Sequence, residues 1–406
     1  MQYWDTSGIR YMEKYPPCFV HLHDRREQRM MKQWGRSLVW AIVWTLLWRC
    51  LPIQTFAEPS EDTYCTVLME AETGVVLDGT GYDTLCAAGT LTKLMTVYLA
   101  AQAVEEELLT ADTLVAAPAA AQEQKGAVIW LETGDKMSVA DLLKGVIIGN
   151  ANDAAVTLAC GISGTEEQFV MEMNRAAFEL GMHHTRFADA TGLAPENVST
   201  PQDMALLCRA LLPYEWLTPM FTAWRDFLRE GTTELVSENI LTKNYEGLLG
   251  FKAGHGDACG YTLAAAAQRE DFCCIAVVMG CQDENERFSV GKRLLAKGFE
   301  GFTVTTPDFS TEFMKPVTVR HGMDAAVLTE PAALFSAAVP KGESIGCVVV
   351  LPNYAEAPVR RGDALGWVAF YCEDTLLYET PLCAAADVER RAFWDTFALL
   401  LGNMFK

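Results

Sequence analysis

Gly89-Thr90-Leu91-Thr92-Lys93-Leu94-Met95-Thr96 decides how the rest of the chain is read. Apolar residues at Leu94, Val97, Tyr98 and Ala101 recur at helical spacing, so the stretch predicts a central, buried helix running from Thr90 to about Glu106. Thr90 and Lys93 stand three apart at its start. Positions i and i+3 share one helix face, which puts a hydroxyl beside an amine. The first turn of a helix also carries unpaired N–H groups and the positive end of the dipole. A nucleophile attacking a carbonyl needs both features, a base at its side and donors for the oxyanion.

Working outward, residues 64–68 and 75–77 read as paired strands around a Glu72-Thr73-Gly74 turn. Residues 111–136 show no clear period. Ser138 with Asp141 is a capping-type start for a helix over 139–148. The chain then breaks at Gly149 and resumes helical spacing at Ala154, leaving Asn150-Ala151-Asn152 on a short loop. Thr165 with Gln168 opens a helix over 166–180, and Thr200-Pro201-Gln202-Asp203 opens another. Residues 234–239, 248–252, 261–268 and 273–279 read as strands of one antiparallel sheet, covered by a helix over 287–299. Strands at both ends with helices between them make an α/β sandwich. After about residue 302, short strand-like runs at 317–319, 325–328, 345–351, 365–370 and 375–382 predict a small all-β domain. Residues 389–406 carry Phe393, Trp394, Phe397, Leu400, Leu401, Met404 and Phe405 along one wide apolar stripe. A helix of that length suits a membrane interface or a docked position better than a membrane crossing.

Thr90 and Lys93, Asn150 to Asn152, and Lys252-Ala253-Gly254-His255 follow one another in the order and rough spacing of an S-x-x-K, S-x-N and K-T-G set. On these segments the chain resembles the serine-type D-alanyl-D-alanine carboxypeptidases, the low-molecular-weight penicillin-binding proteins. Smaller matches are Asn152-Asp153-Ala154-Ala155, Thr191-Gly192-Leu193, Asp203-Met204-Ala205 and Gly260-Tyr261, and the likeness spans roughly residues 63–302. It implies a penicillin-binding-protein/β-lactamase-like transpeptidase domain. It also implies an acyl-enzyme on Thr90 with Lys93 as base, and Asn150 standing where a serine passes the proton to the leaving group. Asn152, Lys252, Gly254, His255 and Arg287 become substrate-binding residues. Lys252 and Arg287 would face the terminal carboxylate, Gly254 would let the substrate backbone approach, and the N–H groups of Thr90 and His255 would form the oxyanion hole.

Three hydroxyl positions depart from that pattern. Thr90 keeps a hydroxyl but adds a methyl that is stiff at χ1. Asn150 is an amide and a poor proton relay, and Ala253 has lost its hydroxyl. Two readings follow: a hydrolase that trims the terminal D-Ala from peptidoglycan stem peptides, or a binder that holds stem peptides without turning them over. A β-lactamase shares the motifs, but the second domain and the terminal helix do not fit one. β-Lactams are further expected ligands, and no cofactor is implied.

The bulk properties narrow the partners. The 406 residues carry a formal charge of −21. Residues 1–57 hold eight basic and four acidic residues, or +4, leaving 24 and 49, or −25, for the remainder. So acidic a surface argues against nucleic acid as a partner. The thirteen cysteines lack metal-ligand spacing, and most sit in apolar runs as small hydrophobes. Lys32 and Arg36, the apolar run 38–48 and the small residues Thr55 and Ala57 read as a signal peptide behind a short start extension. The expected organisation is residues 1–57 as extension and signal, 58–302 as the carboxypeptidase-like domain, 303–385 as a β-sandwich-like domain, and 386–406 as an amphipathic helix at the membrane surface. The expected location is the outer face of the cytoplasmic membrane or the cell wall.

Overall fold

The computed structural model describes residues 9–11, 64–307, 314–333 and 335–392. The signal peptide and the amphipathic terminal helix expected from the sequence lie outside the described residues. Among the described residues, no helix is long and apolar enough to cross a membrane.

The first domain is built on a five-stranded sheet. Strands β1 (Cys65–Glu70) and β2 (Val76–Thr80) come from the start of the domain, and β3 (Leu248–Gly256), β4 (Gly260–Arg269) and β5 (Phe272–Cys281) from its end. The order is β3-β4-β5-β1-β2, antiparallel throughout. The central strands are apolar on both faces because helices cover both. One face packs on the helical layer through Val67, Met69, Ala264, Ile275 and Val277. The other packs under α6 (Glu284–Gly301) through Leu68, Ala265, Val278, Phe288 and Leu295.

The helical layer holds α1 (Thr92–Glu105), α2 (Val139–Ile147), α3 (Asn152–Ser163), α4 (Glu166–Glu179) and α5 (Pro201–Leu211). Sequence caps set their starts: Ser138, Thr165 and Thr200 each accept from the N–H three residues on. Helix α1 is not amphipathic. Every residue from Thr92 to Ala101 is buried, so it is a spine enclosed on all sides rather than a helix with one inner face. Each fully buried leucine in it stabilises the fold by about 1.5–3 kcal/mol.

Two expected elements differ. Residues 234–239 do not join the sheet: Thr233–Val236 pairs only with Arg225–Leu228 in a separate hairpin. Apolar alternation could not distinguish the two, because a half-buried strand shows it with either partner; in the hairpin the buried residue is Leu235. Asn152 is not a loop residue but the first residue of α3.

The chain leaves α6 directly into strand Phe302–Thr305, which pairs with Ala337–Pro340 of the all-β domain. That domain holds a five-stranded sheet with Ile345–Val350, Ala364–Cys372 and Thr375–Ala384 adjacent, and a three-stranded sheet around Val317–Arg320. Its sheets close over small cores of Val349, Val368, Phe370 and Leu382, and of Val317, Val319, Val359 and Val388. Ile9–Tyr11, within the stretch expected as a start extension, pairs in parallel with Ile345–Val350.

Candidate active site

Thr90 sits in a 3₁₀ turn, Gly89–Leu91, that feeds α1. The turn packs on the end of β3 so closely that a side chain at Gly254 would collide with the Thr90 side chain. Gly254 therefore serves the nucleophile's own seat, a steric role the sequence reading did not assign to it. Lys93 lies one turn on, buried, and its Nζ donates to the Thr191 carbonyl at 2.6 Å rather than to the Thr90 hydroxyl. Burial lowers its pKa to about 8, against partial opposition from the Asp189 and Glu238 charges. A lysine so placed is half neutral near pH 8, so the neutral form that a base must have is far more available than for an ordinary lysine.

The segment that holds Lys93 is itself held. Asp189 accepts N–H bonds from Thr191 and Ala194 at 2.9 and 2.7 Å, and Asn197 Nδ2 donates to it at 3.1 Å. Gly192, at φ +84, passes so near the Gly89 carbonyl that any Cβ would clash. Asp189 and Asn197 belong to the site's support and were missed in the sequence. The only signal was the Thr191-Gly192-Leu193 match beside them.

The second segment carries its two amides differently. Asn150 is in the left-handed region, φ 56, a conformation asparagine tolerates better than most residues. Its Nδ2 donates to Glu238 Oε1 at 2.8 Å and to the Ala253 carbonyl at 3.3 Å. Asn152 spends its Nδ2 on the Lys125 carbonyl at 2.6 Å. Both side-chain oxygens, Asn150 Oδ1 and Asn152 Oδ1, are buried with no partner in the protein. Unpaired buried acceptors are costly, so these two are open positions for ligand N–H groups. Asp153 behind them accepts from the N–H groups of Ile129, Leu131 and Ala154 at 2.9–3.0 Å.

The expected carboxylate-binding cations are both engaged elsewhere. Lys252 is buried, and its Nζ donates to the Val146 and Ile147 carbonyls at 2.6 and 3.2 Å. Those are among the last carbonyls of α2, which have no partner inside the helix and favour a cation. Burial first, then the nearby Lys93 charge, holds the Lys252 pKa well below its ordinary value. Lys252 therefore ties a helix end to the sheet rather than presenting a free cation to the cleft. Arg287 is buried as well; its Nη1 donates to the Gly254 carbonyl, and its Nη2 lies 3.8 Å from both Glu238 and Glu284. Ala253 packs into the apolar layer under α6.

The cleft encloses about 360 Å³. Thr90, Lys93, Asn150, Asn152, Glu238 and His255 all line it, with Cys259 against the Thr90 turn. Burial pushes the Cys259 thiol up, and the Thr90 N–H together with the Lys93 charge partly offsets this. A hydroxyl, an amine of lowered pKa, two open amide oxygens and the Thr90 main chain thus meet in one place.

A family model described as D-alanyl-D-alanine carboxypeptidase matches residues 53–283. The chain is 31% identical over 357 residues to the D-alanyl-D-alanine carboxypeptidase DacF of Bacillus subtilis, an alignment covering 86% of this chain and 92% of that one. The chain belongs to the D-alanyl-D-alanine carboxypeptidase family. Its fold matches penicillin-binding protein 5 from Haemophilus influenzae with a TM-score of 0.71 at 26% identity, over 82% of this chain and 99% of that one. Penicillin-binding protein D2 from Listeria monocytogenes, solved in an ampicillin-bound form, matches with a TM-score of 0.53 at 28% identity, over 58% and 96%.

Within this serine-type carboxypeptidase family, the chain presents Thr90 as its nucleophile candidate. Glu238 is another cleft residue the sequence reading missed. It lay inside a stretch taken for a sheet strand, and no motif points to it.

Proposed function

We propose that the protein is an exported hydrolase that removes the terminal D-Ala from peptidoglycan stem peptides through an acyl-enzyme on Thr90, in cell-wall remodelling. The observation that carries this reading is the Thr90–Lys93 pair: a hydroxyl on a helix-entry turn beside a buried lysine whose pKa is lowered to about 8. Thr90 Oγ1 attacks the penultimate D-Ala carbonyl and gives its proton to neutral Lys93. The N–H groups of Thr90 and His255 receive the oxyanion, a role that needs main chain only and so survives the side-chain changes. Asn152 Oδ1 takes an N–H of the substrate backbone. The protonated Lys93 passes that proton to the leaving amine, D-Ala departs, and water then hydrolyses the Thr90 ester with the again neutral Lys93 as base.

Export is supported by the basic, apolar and small-residue order of residues 32–57, and contact with the membrane surface by the apolar stripe of residues 393–405. β-Lactams suit the same cleft, as the ampicillin-bound relative suggests.

The test is D-alanine release from diacetyl-Lys-D-Ala-D-Ala by the parent, Thr90→Ser and Thr90→Ala, with mass spectrometry of a penicilloyl adduct on Thr90. Release by the parent that vanishes in Thr90→Ala, with an adduct on that residue, is the expected result. A second reading, a stem-peptide binder without turnover, is favoured by the amide at Asn150, which offers no relay proton. Saturable muropeptide binding with no D-alanine release by the parent would select it.

A further inference from the structure

We propose that Cys65 and Cys86 form a modification site: a thiol pair that a small disulfide oxidises to an intramolecular disulfide, pinning the approach to the Thr90 turn onto the sheet. Cys65 opens β1, and Cys86 lies in a short strand, Cys86–Ala87, just before that turn. The two thiols come together over the bend at Gly81. Cys65 Sγ lies so near Gly81 that an added Cβ there would approach it to 3.1 Å. From the other side, Cys86 Sγ donates to the Thr84 carbonyl at 3.6 Å, and the Thr84 N–H closes the bend on the Gly81 carbonyl at 3.0 Å. The sulfurs are within hydrogen-bond reach of each other. Both are free thiols and partly exposed, unlike the buried Cys208 and Cys274.

Cys65 stands opposite Met279 of β5. Cys86 stands opposite Ser199, and the Ala88 N–H donates to the carbonyl of Asn197 at 2.8 Å. A link between them would therefore join the sheet to the segment that feeds the nucleophile's turn. It would also enclose the β1–β2 hairpin in a covalent loop, which favours the folded chain by restricting the unfolded one. Cys65 thiolate attacks one sulfur of a low-molecular-weight disulfide and expels one thiolate; Cys86 then attacks the Cys65 sulfur and expels the second. Two protein thiols are oxidised by two electrons, and the small disulfide is reduced to two thiols that take up the two protons. Burial, then the neighbouring Cys65, pushes the Cys86 thiol up to about 12. Cys86 is thus a poor first attacker and suits the second, intramolecular step. Export, as proposed above, would place the pair where disulfides form and persist.

In the experiment the full chain, purified under reductant and then freed of it, is incubated with oxidised glutathione. It is digested without reduction and mapped by mass spectrometry. The expected product is one peptide pair joined through Cys65 and Cys86, lighter by two hydrogens than the sum of its parts and separated again by dithiothreitol. Urea unfolding should show a folded-to-unfolded ratio higher by at least about tenfold for the linked chain than for the reduced one. Cys86→Ser should gain nothing from the same treatment. Separate glutathione adducts on Cys65 and Cys86, two unreacted thiols, pairing of either with another cysteine, or a link that leaves urea unfolding unmoved would overturn the proposal. Cys65→Ser serves as the comparison if Cys86→Ser does not fold. D-alanine release is not read at any point, so a failure of Thr90 as nucleophile would leave this result standing, and the reverse.

Discussion

The two ends of the cleft have been treated differently by the sequence. At the acylation end, Thr90 keeps a hydroxyl, and Thr90, Lys93 and Asn152 are held by main-chain groups: the 3₁₀ turn at Thr90, the Thr191 carbonyl on Lys93, the Lys125 carbonyl on Asn152. At the leaving-group end, Asn150 and Glu238 present an amide and a carboxylate to the cleft, and Ala253 packs into the apolar layer under α6. Geometry that rests on backbone and close packing tolerates few substitutions, because the neighbours would have to move with them. Charge and hydroxyl inventory at a cleft wall can change at little cost to the fold. Specificity is therefore expected to diverge before the nucleophile's seat does.

The largest expected effect breaks the acylation end. Lys93→Ala removes the base, and D-alanine release should fall by about 10²–10⁴-fold, as steady-state kinetics would read it. In the native chain the rate should rise with pH through about 8 as Lys93 loses its proton. Stability should follow the same residue. Between about 8 and the lysine's ordinary 10.5, the unfolded chain binds this proton and the folded chain does not, so the Lys93 contribution to stability rises with pH across that window. Urea melts at a series of pH values, native against Lys93→Met, would isolate it; a difference flat from pH 8 to 10.5 contradicts a depressed lysine.

Next in size is Asp153→Ala. It strips an acceptor from three buried N–H groups behind Asn152. A loss of about 3 kcal/mol in urea unfolding is expected. Turnover per folded molecule should fall too, since Asn152 starts the helix that Asp153 braces.

Asn150→Ser sharpens the contrast by moving two quantities in opposite directions. A hydroxyl at this position restores a proton relay, so release should rise by about 10-fold or more. Stability should fall by about 1 kcal/mol, because serine is less at ease than asparagine at φ 56. A variant that loses both would mean that Asn150 is needed for its bonds to Glu238 and Ala253 rather than for its backbone angle.

The smallest effect is expected away from the cleft. Lys144 and Asp226 make a partly exposed ion pair at 3.0 Å. Lys144→Ala should cost less than about 1 kcal/mol and leave release unchanged, which calorimetric melting and the same kinetic assay would show.

Much of the domain was legible because its signals are local. Caps at Ser138, Thr165 and Thr200 fixed helix starts, and apolar runs marked the sheet strands. The hairpin at 225–236 was not legible as separate from the sheet. A half-buried strand has the same alternation whichever partner its backbone pairs with. In the site, the spacing of Thr90, Lys93, Asn152 and Lys252 was readable, but the directions of their side chains were not. Lys252 looked like a free cation until its Nζ was found against the end of α2.

The amino-acid order by itself determined that a hydroxyl, an amine and an amide would be carried on three segments of an α/β domain, because caps, periods and motif spacing are properties of short stretches. Only the folded chain decided that Glu238 would stand among them and that Lys252 and Arg287 would be spent on carbonyls and carboxylates within the protein. Those outcomes depend on which distant groups meet in a space too dry to leave a charge or a carbonyl unpaired.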